Sequence, residues 1–481
     1  MFVGREHELA ELNRLYRKGG FQMVVLYGRR RVGKTTLALQ FAKDKPLLAF
    51  TAKVQSDAMN LARFSEEIYR FSGLTARPGP FATWDDAFVY LAQSVGDRQI
   101  VFLFDEFPYA AQKNAALIST LQIAIDHHFS HTGIYIILTG SNQGFMEEKV
   151  LGTQPAEGGE LALGEKNPLF GRRTAQIHLA PLGYLEASRM LPDIDPIDLV
   201  AYYACFGGTP YYLAQLDANE SLDENITRLF FHKEGLLFEE PLMLLRQEVR
   251  EPAIYSSLMS AIAGGATRST RIADRVGIDR TAMGKYMGTL RALGLVEKVA
   301  PYGESAKTSK NALYRLKDPC FAYWYRFVEP VSDVIEQDAG ELVAHEALAS
   351  DQLATFIGHW FEEIARSWLV LQAKAGALPF VPVRFGSWWG TDPKRREQDE
   401  VDVVAGNPRT HEAIVGECKW RESVSVAKVL EKLRLRTHLF PQYQTFYPMM
   451  FLKRPLDEKG RAACDEAGCR VVDAGELYRE R

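Results

Sequence analysis

One octapeptide does most to restrict the folds open to this chain. Gly28-Arg29-Arg30-Arg31-Val32-Gly33-Lys34-Thr35 follows the apolar run Met23-Val24-Val25-Leu26-Tyr27 and leads directly into the helical pattern Thr36-Leu37-Ala38-Leu39. A turn of this composition between a buried strand and a helix is the G-x-x-x-x-G-K-T phosphate-binding loop. It requires a strand within a parallel sheet on one side and a helix amino terminus on the other. The backbone can then curl so that Gly28, Arg31, Val32, Gly33, Lys34, Thr35 and Thr36 face the phosphates of ATP. Lys34 reaches the outer phosphates and Thr35 holds Mg2+. A chance Gly-rich turn is the bland reading, and the flanking strand and helix weigh against it.

Three more short apolar runs, Leu47-Leu48-Ala49-Phe50, Val101-Phe102-Leu103-Phe104 and Ile134-Tyr135-Ile136-Ile137-Leu138, alternate with helical patterns up to about residue 185. That alternation predicts a parallel sheet buried on both faces. Asp105 and Glu106 close the second of these runs. Asp105 is positioned to hold magnesium through water and Glu106 to polarise the attacking water, so hydrolysis is expected as well as binding. Acids at a helix start would look the same. Thr139-Gly140-Ser141-Asn142 ends the third run; Asn142 is the candidate sensor of the terminal phosphate, and a plain turn is the alternative.

At 481 residues the chain is expected to hold about three units. The division expected is a P-loop ATPase domain over 1–185, a helical lid over 186–250, a winged-helix domain over 251–330, a linker over 331–350 and a last α/β domain over 351–481. With 47% hydrophobic and 25% charged residues, extensive disorder is not expected. Lys and Arg number 57 against 61 Asp and Glu, a net charge of -4, so a DNA partner would have to meet local basic surfaces. No leader and no apolar run of about 18 residues is evident, which makes a cytoplasmic protein without membrane spans the default. Five scattered cysteines, at 205, 320, 418, 464 and 469, fit reduced thiols better than disulfides. Cys464 and Cys469 lack the second ligand pair of a zinc site.

Residues 269–277 and 280–287 read as two helices around a turn, and 295–299 with 314–316 as a hairpin, which is the winged-helix order. Met283, Met287 and Leu290 form the buried stripe of the second helix. Arg280, Lys285 and Arg291 would meet phosphates, assisted by Arg268 and Arg271, or would be ordinary surface charges of an ATPase lid.

Farther on, Glu400-Val401-Asp402-Val403-Val404 and Ala413-Ile414-Val415-Gly416-Glu417-Cys418-Lys419 read as two strands joined by Gly406-Asn407-Pro408-Arg409. Strict alternation sets Asp402 opposite Val401 and Val403, and sends Glu417 and Lys419 to one face, so the three can converge. Asp402 and Glu417 would hold a hard divalent cation, Mg2+ or alternatively Mn2+, and Lys419 would position or polarise water at a phosphodiester. A solvated hairpin face is the competing reading. Arg395-Arg396, after Pro393, could grip phosphate or form a solvated charge cluster.

Two resemblances emerge. Phe2-Val3-Gly4-Arg5-Glu6, the phosphate loop, Phe104-Asp105-Glu106, Leu138-Thr139-Gly140-Ser141, Pro168-Leu169-Phe170-Gly171-Arg172-Arg173 and Gly207-Gly208-Thr209-Pro210 resemble the archaeal-type ATPase family, in the AAA+/STAND branch of P-loop ATPases. The resemblance covers roughly the first 330 residues. It implies an adenine contact at Val3, Gly4 and Arg5 and phosphate sensing by Arg172 or Arg173, and the Gly- and Glu-rich loop 152–166 departs from the pattern. Asp402 with Glu417-x-Lys419 resembles the PD-(D/E)XK nuclease core. Gly358-His359-Trp360-Phe361-Glu362-Glu363 and Trp388-Trp389 look like the DUF234-type domain often attached to these ATPases. Glu362 then matches the upstream helix acid, with Glu363 its neighbour.

The expectation is an α/β multidomain enzyme that binds and hydrolyses ATP and acts on DNA, with a restriction-endonuclease-like domain controlled by nucleotide state. A DNA-binding or signalling switch that does not cut is the alternative, and a chaperone-like ATPase without nucleic acid is a third reading. A nucleotide-dependent homo-oligomer is compatible with all of them.

Overall fold

A computed structural model describes residues 2–74, 78–155, 161–163, 168–349 and 351–479. The chain divides into two compact units, 1–181 with 292–294, and 182–291 with 295–481.

The first unit is built on a five-stranded sheet of β1 (Gln22–Tyr27), β2 (Leu47–Thr51), β3 (Ile100–Asp105), β4 (Ile134–Gly140) and β7 (Ala175–His178), in the order β2-β3-β4-β1-β7. All its pairings are parallel. Successive side chains go to opposite faces. Met23, Val25, Phe102, Phe104, Ile136 and Leu138 join one buried cluster, while Val24, Leu26, Val101, Leu103, Tyr135 and Ile137 join the other. Two covered faces account for the unbroken apolar runs. A short antiparallel pair, β5 (Thr153–Pro155) and β6 (Leu161–Leu163), lies within the loop that departs from the family pattern. The rest of that loop, 156–160 and 164–167, lies outside the described residues.

In the second unit, helices from Tyr184–Ser188 to Leu236–Glu248 occupy the stretch expected to be helical. The helices Pro252–Ala263, Ser269–Val276 and Arg280–Ala292 follow, and then the antiparallel ribbon of β8 (Val296–Val299) and β9 (Leu313–Leu316). Met283, Met287 and Leu290 are buried, whereas Arg268, Arg271, Arg280, Lys285 and Arg291 are not. The 24-residue helix Asp351–Lys374 buries Leu353, Ile357, Trp360, Phe361, Ile364 and Trp368 at helical spacing. It packs on a mixed sheet of β10 (Arg384–Thr391), β11 (Gln398–Asn407), β12 (Glu412–Lys419), β13 (Thr445–Leu452) and β14 (Arg470–Asp473), ordered as numbered. The first two pairings are antiparallel and the last two parallel. All five cysteines are buried thiols.

Candidate functional site

The phosphate loop connects β1 to the helix Lys34–Ala42. Its backbone passes so close to the segment after β7 that a Cβ on Gly28 would lie 2.3 Å from the Leu179 carbonyl oxygen. Gly33 caps the helix at φ 91°, a conformation only glycine adopts without strain. Lys34 is buried, and its ammonium donates to the carbonyls of Gly28 and Arg29 at 2.9 and 3.0 Å. Thr36 is exposed on the first turn and Val32 is buried beneath the loop.

Asp105 is buried at the end of β3, ringed by hydroxyls. Thr35 donates to Oδ1 at 3.0 Å, Thr51 to Oδ2 at 3.3 Å, and Thr139 also donates to Oδ1. An all-oxygen set joining the loop threonine to this carboxylate has the donor chemistry Mg2+ prefers. Glu106 adopts left-handed backbone at φ 51°. Its N–H donates to the Thr139 hydroxyl, and its carboxylate accepts from both the N–H and the hydroxyl of Ser141. A non-glycine residue held there by the next strand is the kind of local strain that collects at working sites.

The candidate sensors are distributed differently from their simple sequence reading. The Asn142 side chain accepts from the Phe145 N–H and caps a helical turn, leaving Ser141, directly after β4, as the residue that meets Glu106. Arg5 is buried and donates to the carbonyls of Val32 and Ala180, at 3.3 and 2.6 Å, so its side chain braces the phosphate loop. Gly4 and Arg5 both have positive φ, and Val3 is partly exposed. Arg172 is clamped by both oxygens of Asp126, at 2.6 and 2.8 Å. Arg173 donates to the Leu151 carbonyl and lies over Phe170; burial pulls its pKa down.

In the second unit β11 and β12 bring the acidic and basic candidates together, but not by plain alternation. Between Gly386 and Trp388 of β10 the pairing shifts from Val404 to Val401, a bulge that sets three steps of β11 against two of its neighbour. Val401 and Val404 consequently share one apolar cluster, and the expected strict alternation through Asp402 is broken there. The Asp402 carboxylate accepts from the Cys418 N–H at 2.8 Å. Burial, and then the charge of Glu417, push Asp402 up to about 6.

Glu417 is fully buried. Lys419 and Lys432 both donate to its Oε1 and Arg436 to its Oε2, each at 2.5 Å. Burial opposes its ionisation, yet Lys419 and Arg436 hold it below the usual carboxylate range. Glu362 lies on the long helix, where burial and then the charge of Asp402 push it up to about 8. Neighbouring Glu363 pairs with Arg366 at 2.6 Å and is held low despite its burial. Arg366 also donates to the Asp402 backbone carbonyl, tying helix to strand. Two acids raised by burial and by a neighbouring carboxylate have the chemistry of a hard-cation site. Among the described residues, however, no three His, Cys, Asp or Glu side chains gather closely enough to hold a metal ion.

Lys432 and Arg436 escaped the sequence reading. They sit four residues apart on the helix Val426–Arg436, a spacing that puts both on one face, but nothing in a basic helix says which acid it will meet. Arg395 is engaged by Asp392 and Asp399, at 2.8 and 2.5 Å, and so belongs to a charge cluster. Arg396 follows in left-handed backbone.

A strand, phosphate loop and helix, with a hydroxyl-ringed aspartate on β3 across the intervening β4, define a P-loop ATPase. Residues 2–216 match the family described as an ATPase domain predominantly from Archaea, and residues 324–430 match DUF234, described as "Archaea bacterial proteins of unknown function". The chain carries the archaeal-type ATPase domain followed by a carboxyl-terminal DUF234 domain. An "Uncharacterized protein" of Methanocaldococcus jannaschii is 29% identical over 468 residues, covering 96% of this chain and 98% of its own length. An "Uncharacterized ATP-binding protein" of the same organism is 45% identical over 47 residues, 10% of this chain and 80% of its own.

Among solved structures, similarity extends to a Pyrococcus horikoshii signal transduction ATPase with numerous domains and a tetratricopeptide repeat sensor. Identity is 16% and the TM-score 0.28, over 78% of this chain; the chain spans about half of that protein, 50%. A single-substitution variant of Thermotoga maritima RuvB is similar at 15% identity and TM-score 0.32, over 62% of this chain and 90% of its own. A Drosophila ORC structure bound to DNA is similar at 13% and 0.33, over 65% and 92%. No helix among the described residues is long and apolar enough to cross a membrane.

Proposed function

We propose that the protein is a DNA-processing ATPase whose carboxyl-terminal domain cuts phosphodiesters under the control of the nucleotide state. The observation that carries this reading is the run of neighbours Glu362, Asp402, Glu417 and Lys419, in which burial and the charge of Asp402 raise Glu362, and burial and the charge of Glu417 raise Asp402.

In the ATPase unit, Gly28, Arg31, Val32, Gly33, Thr35 and Thr36 cradle the phosphates, and Lys34 neutralises the outer ones. Thr35 and Asp105 would hold Mg2+, which would supply positive charge at the phosphates when bound. Glu106, fixed by Ser141, orients and polarises the attacking water. In the other unit, Asp402 and Glu417 would hold a divalent cation, which would supply Lewis acidity at the phosphodiester. Lys419 orients water, and Glu362 takes up or releases a proton at its carboxyl. Arg280, Lys285 and Arg291, with Arg268 and Arg271, contact the DNA backbone.

One observation favours a second reading, a DNA-binding switch that does not cut. Lys419, Lys432 and Arg436 occupy both oxygens of Glu417, leaving its charge compensated without a metal. The test is cleavage of single-stranded, duplex and branched DNA with Mg2+ or Mn2+, with and without ATP. Under the first reading Lys419→Ala lowers cutting by about 10²-fold or more, and Lys34→Ala changes its dependence on ATP. Intact ATP turnover with no cutting of any substrate would replace it with the switch.

A further inference from the structure

The loop between β8 and β9, residues 300–312, does something that the winged-helix order does not require. As the wing of such a segment it would project from the ribbon, free to meet a nucleic acid. Instead Tyr302 is buried and joins the apolar cluster of the carboxyl-terminal sheet, with Val401, Val404 and Val415. Its N–H donates to the Ser387 carbonyl at 2.8 Å, and its hydroxyl shares a hydrogen bond of 2.6 Å with that of Tyr443. Ser387 stands at the register shift of β10, without a partner residue on β11.

The seat is shaped for this side chain. A Cβ on Gly406 would lie 2.7 Å from the Tyr302 hydroxyl oxygen and 2.6 Å from that of Tyr443, so glycine leaves the room that the pair needs. The far end of the loop is tied as well. Trp389 donates its indole N–H to the Asn311 carbonyl at 3.2 Å, and the Arg315 guanidinium lies over the Trp389 ring while pairing with Glu363 of the long helix at 3.5 Å. On its other side the ribbon is joined to the helices: the Tyr314 N–H donates at 2.8 Å to the carbonyl of Thr267, just ahead of the helix Ser269–Val276. Releasing Tyr302 would return to water an aromatic side chain of the kind that buries roughly 150–250 Å², and would take from the Tyr443 hydroxyl its bond.

We propose that this loop is a strap, anchored by Tyr302, that keeps the helices 252–291 and the carboxyl-terminal sheet one rigid body in every nucleotide state. The loop is then a joint within the chain and not a reader of DNA. ATP would move the basic helix and the Asp402–Glu417 site together or not at all. The strap requires neither DNA binding nor cutting, so its failure would leave those readings untouched, and their failure would leave it standing.

The test is the distance between two nitroxide labels in the full chain, measured by double electron–electron resonance. The labels are carried by Asp274→Cys, on the helix Ser269–Val276, and Lys428→Cys, on the helix Val426–Arg436; both positions are exposed, and the five natural thiols are buried. The measurement is made without nucleotide, with Mg2+ and ADP, and with Mg2+ and a non-hydrolysable ATP analogue, and repeated in Tyr302→Phe and Tyr302→Ala. The expected result is one narrow distance, the same in all three states and in Tyr302→Phe, which keeps the ring in its seat, and a broadened distribution in Tyr302→Ala. The nucleotide series on the parent needs no change at position 302, so it decides the matter even if Tyr302→Ala does not fold. A distance that shifts with nucleotide in the parent, or a folded Tyr302→Ala whose distribution is as narrow as the parent's, would overturn the proposal.

Discussion

Around Glu417 the second unit concentrates buried charge to a degree that governs both its stability and its response to pH. Arg436 is 1% exposed and bridges Glu417 and Asp399. Removing one partner of a buried ion pair strands the other, at a cost of about 3–5 kcal/mol. Arg436→Met is therefore expected to lower the urea unfolding free energy by about that amount, while Arg434→Met, at an exposed position of the same helix, should change it little. A null result for Arg436→Met would show that Glu417 finds compensation elsewhere. The pH dependence runs the other way from that of a salt-bridged acid. Glu362 and Asp402 are raised in the folded state, so their protonated forms favour folding. Their contribution is fully present below the unfolded carboxyl range near 4 and is lost as pH rises through about 6 for Asp402 and about 8 for Glu362. Denaturant midpoints measured from about pH 5 to 9 should fall across that window, and Glu362→Gln should flatten the upper half. A midpoint flat across the window would contradict the placement of these acids near one another.

At the scale of elements, what the sequence makes legible follows burial. Strands β1, β3 and β4 lie inside a sheet covered on both faces, and each is visible as an apolar run; β2, at one edge, buries Leu48 and Phe50 on alternate positions and still reads as a run. Strand β7, at the sheet edge, alternates partly buried and exposed residues as Ala175-Gln176-Ile177-His178 and offers no run to find. The bulge at Asp402 is equally hidden, since one extra residue in a ladder depends on the neighbouring strand and leaves no periodic mark. Glu417 and Lys419 could be paired from their spacing because both lie on one strand; Lys432 and Arg436 reach the same acid from a helix, and only the fold brings them there. The helix Arg280–Ala292 yields its own prediction. Its Met283, Met287 and Leu290 are turned inward, while Arg280, Lys285 and Arg291 are exposed. If these three meet DNA phosphates, replacing all of them with Ala should weaken duplex binding and reduce the steepness of its salt dependence by about 0.9 per lost contact. Fluorescence anisotropy at several salt concentrations measures this; an unchanged slope would assign the basic residues to ordinary surface.

For the molecule as a whole, nucleotide binding should be felt as stability of the ATPase unit. Ligand at about a hundred times its dissociation constant adds about 2.7 kcal/mol to a state that alone binds it. Hydrogen exchange with ADP and Mg2+ should therefore slow at the phosphate loop, β1 and β3, and Gly28→Ala should abolish that slowing because its Cβ would press on the Leu179 carbonyl. Equal protection in Gly28→Ala would mean that the loop can shift without losing its ligand. The burial of every cysteine has a practical corollary of a different kind. Burial raises the thiols of Cys205, Cys418 and Cys469, Cys469 to about 12, so the reactive thiolate is scarce as well as shielded. The native protein is thus close to silent toward maleimides: a single cysteine introduced on the exposed face of Arg280–Ala292 could carry a dye with all five natural thiols left in place, and any slow labelling of Cys418 would count the moments at which the strand bearing Glu417 opens.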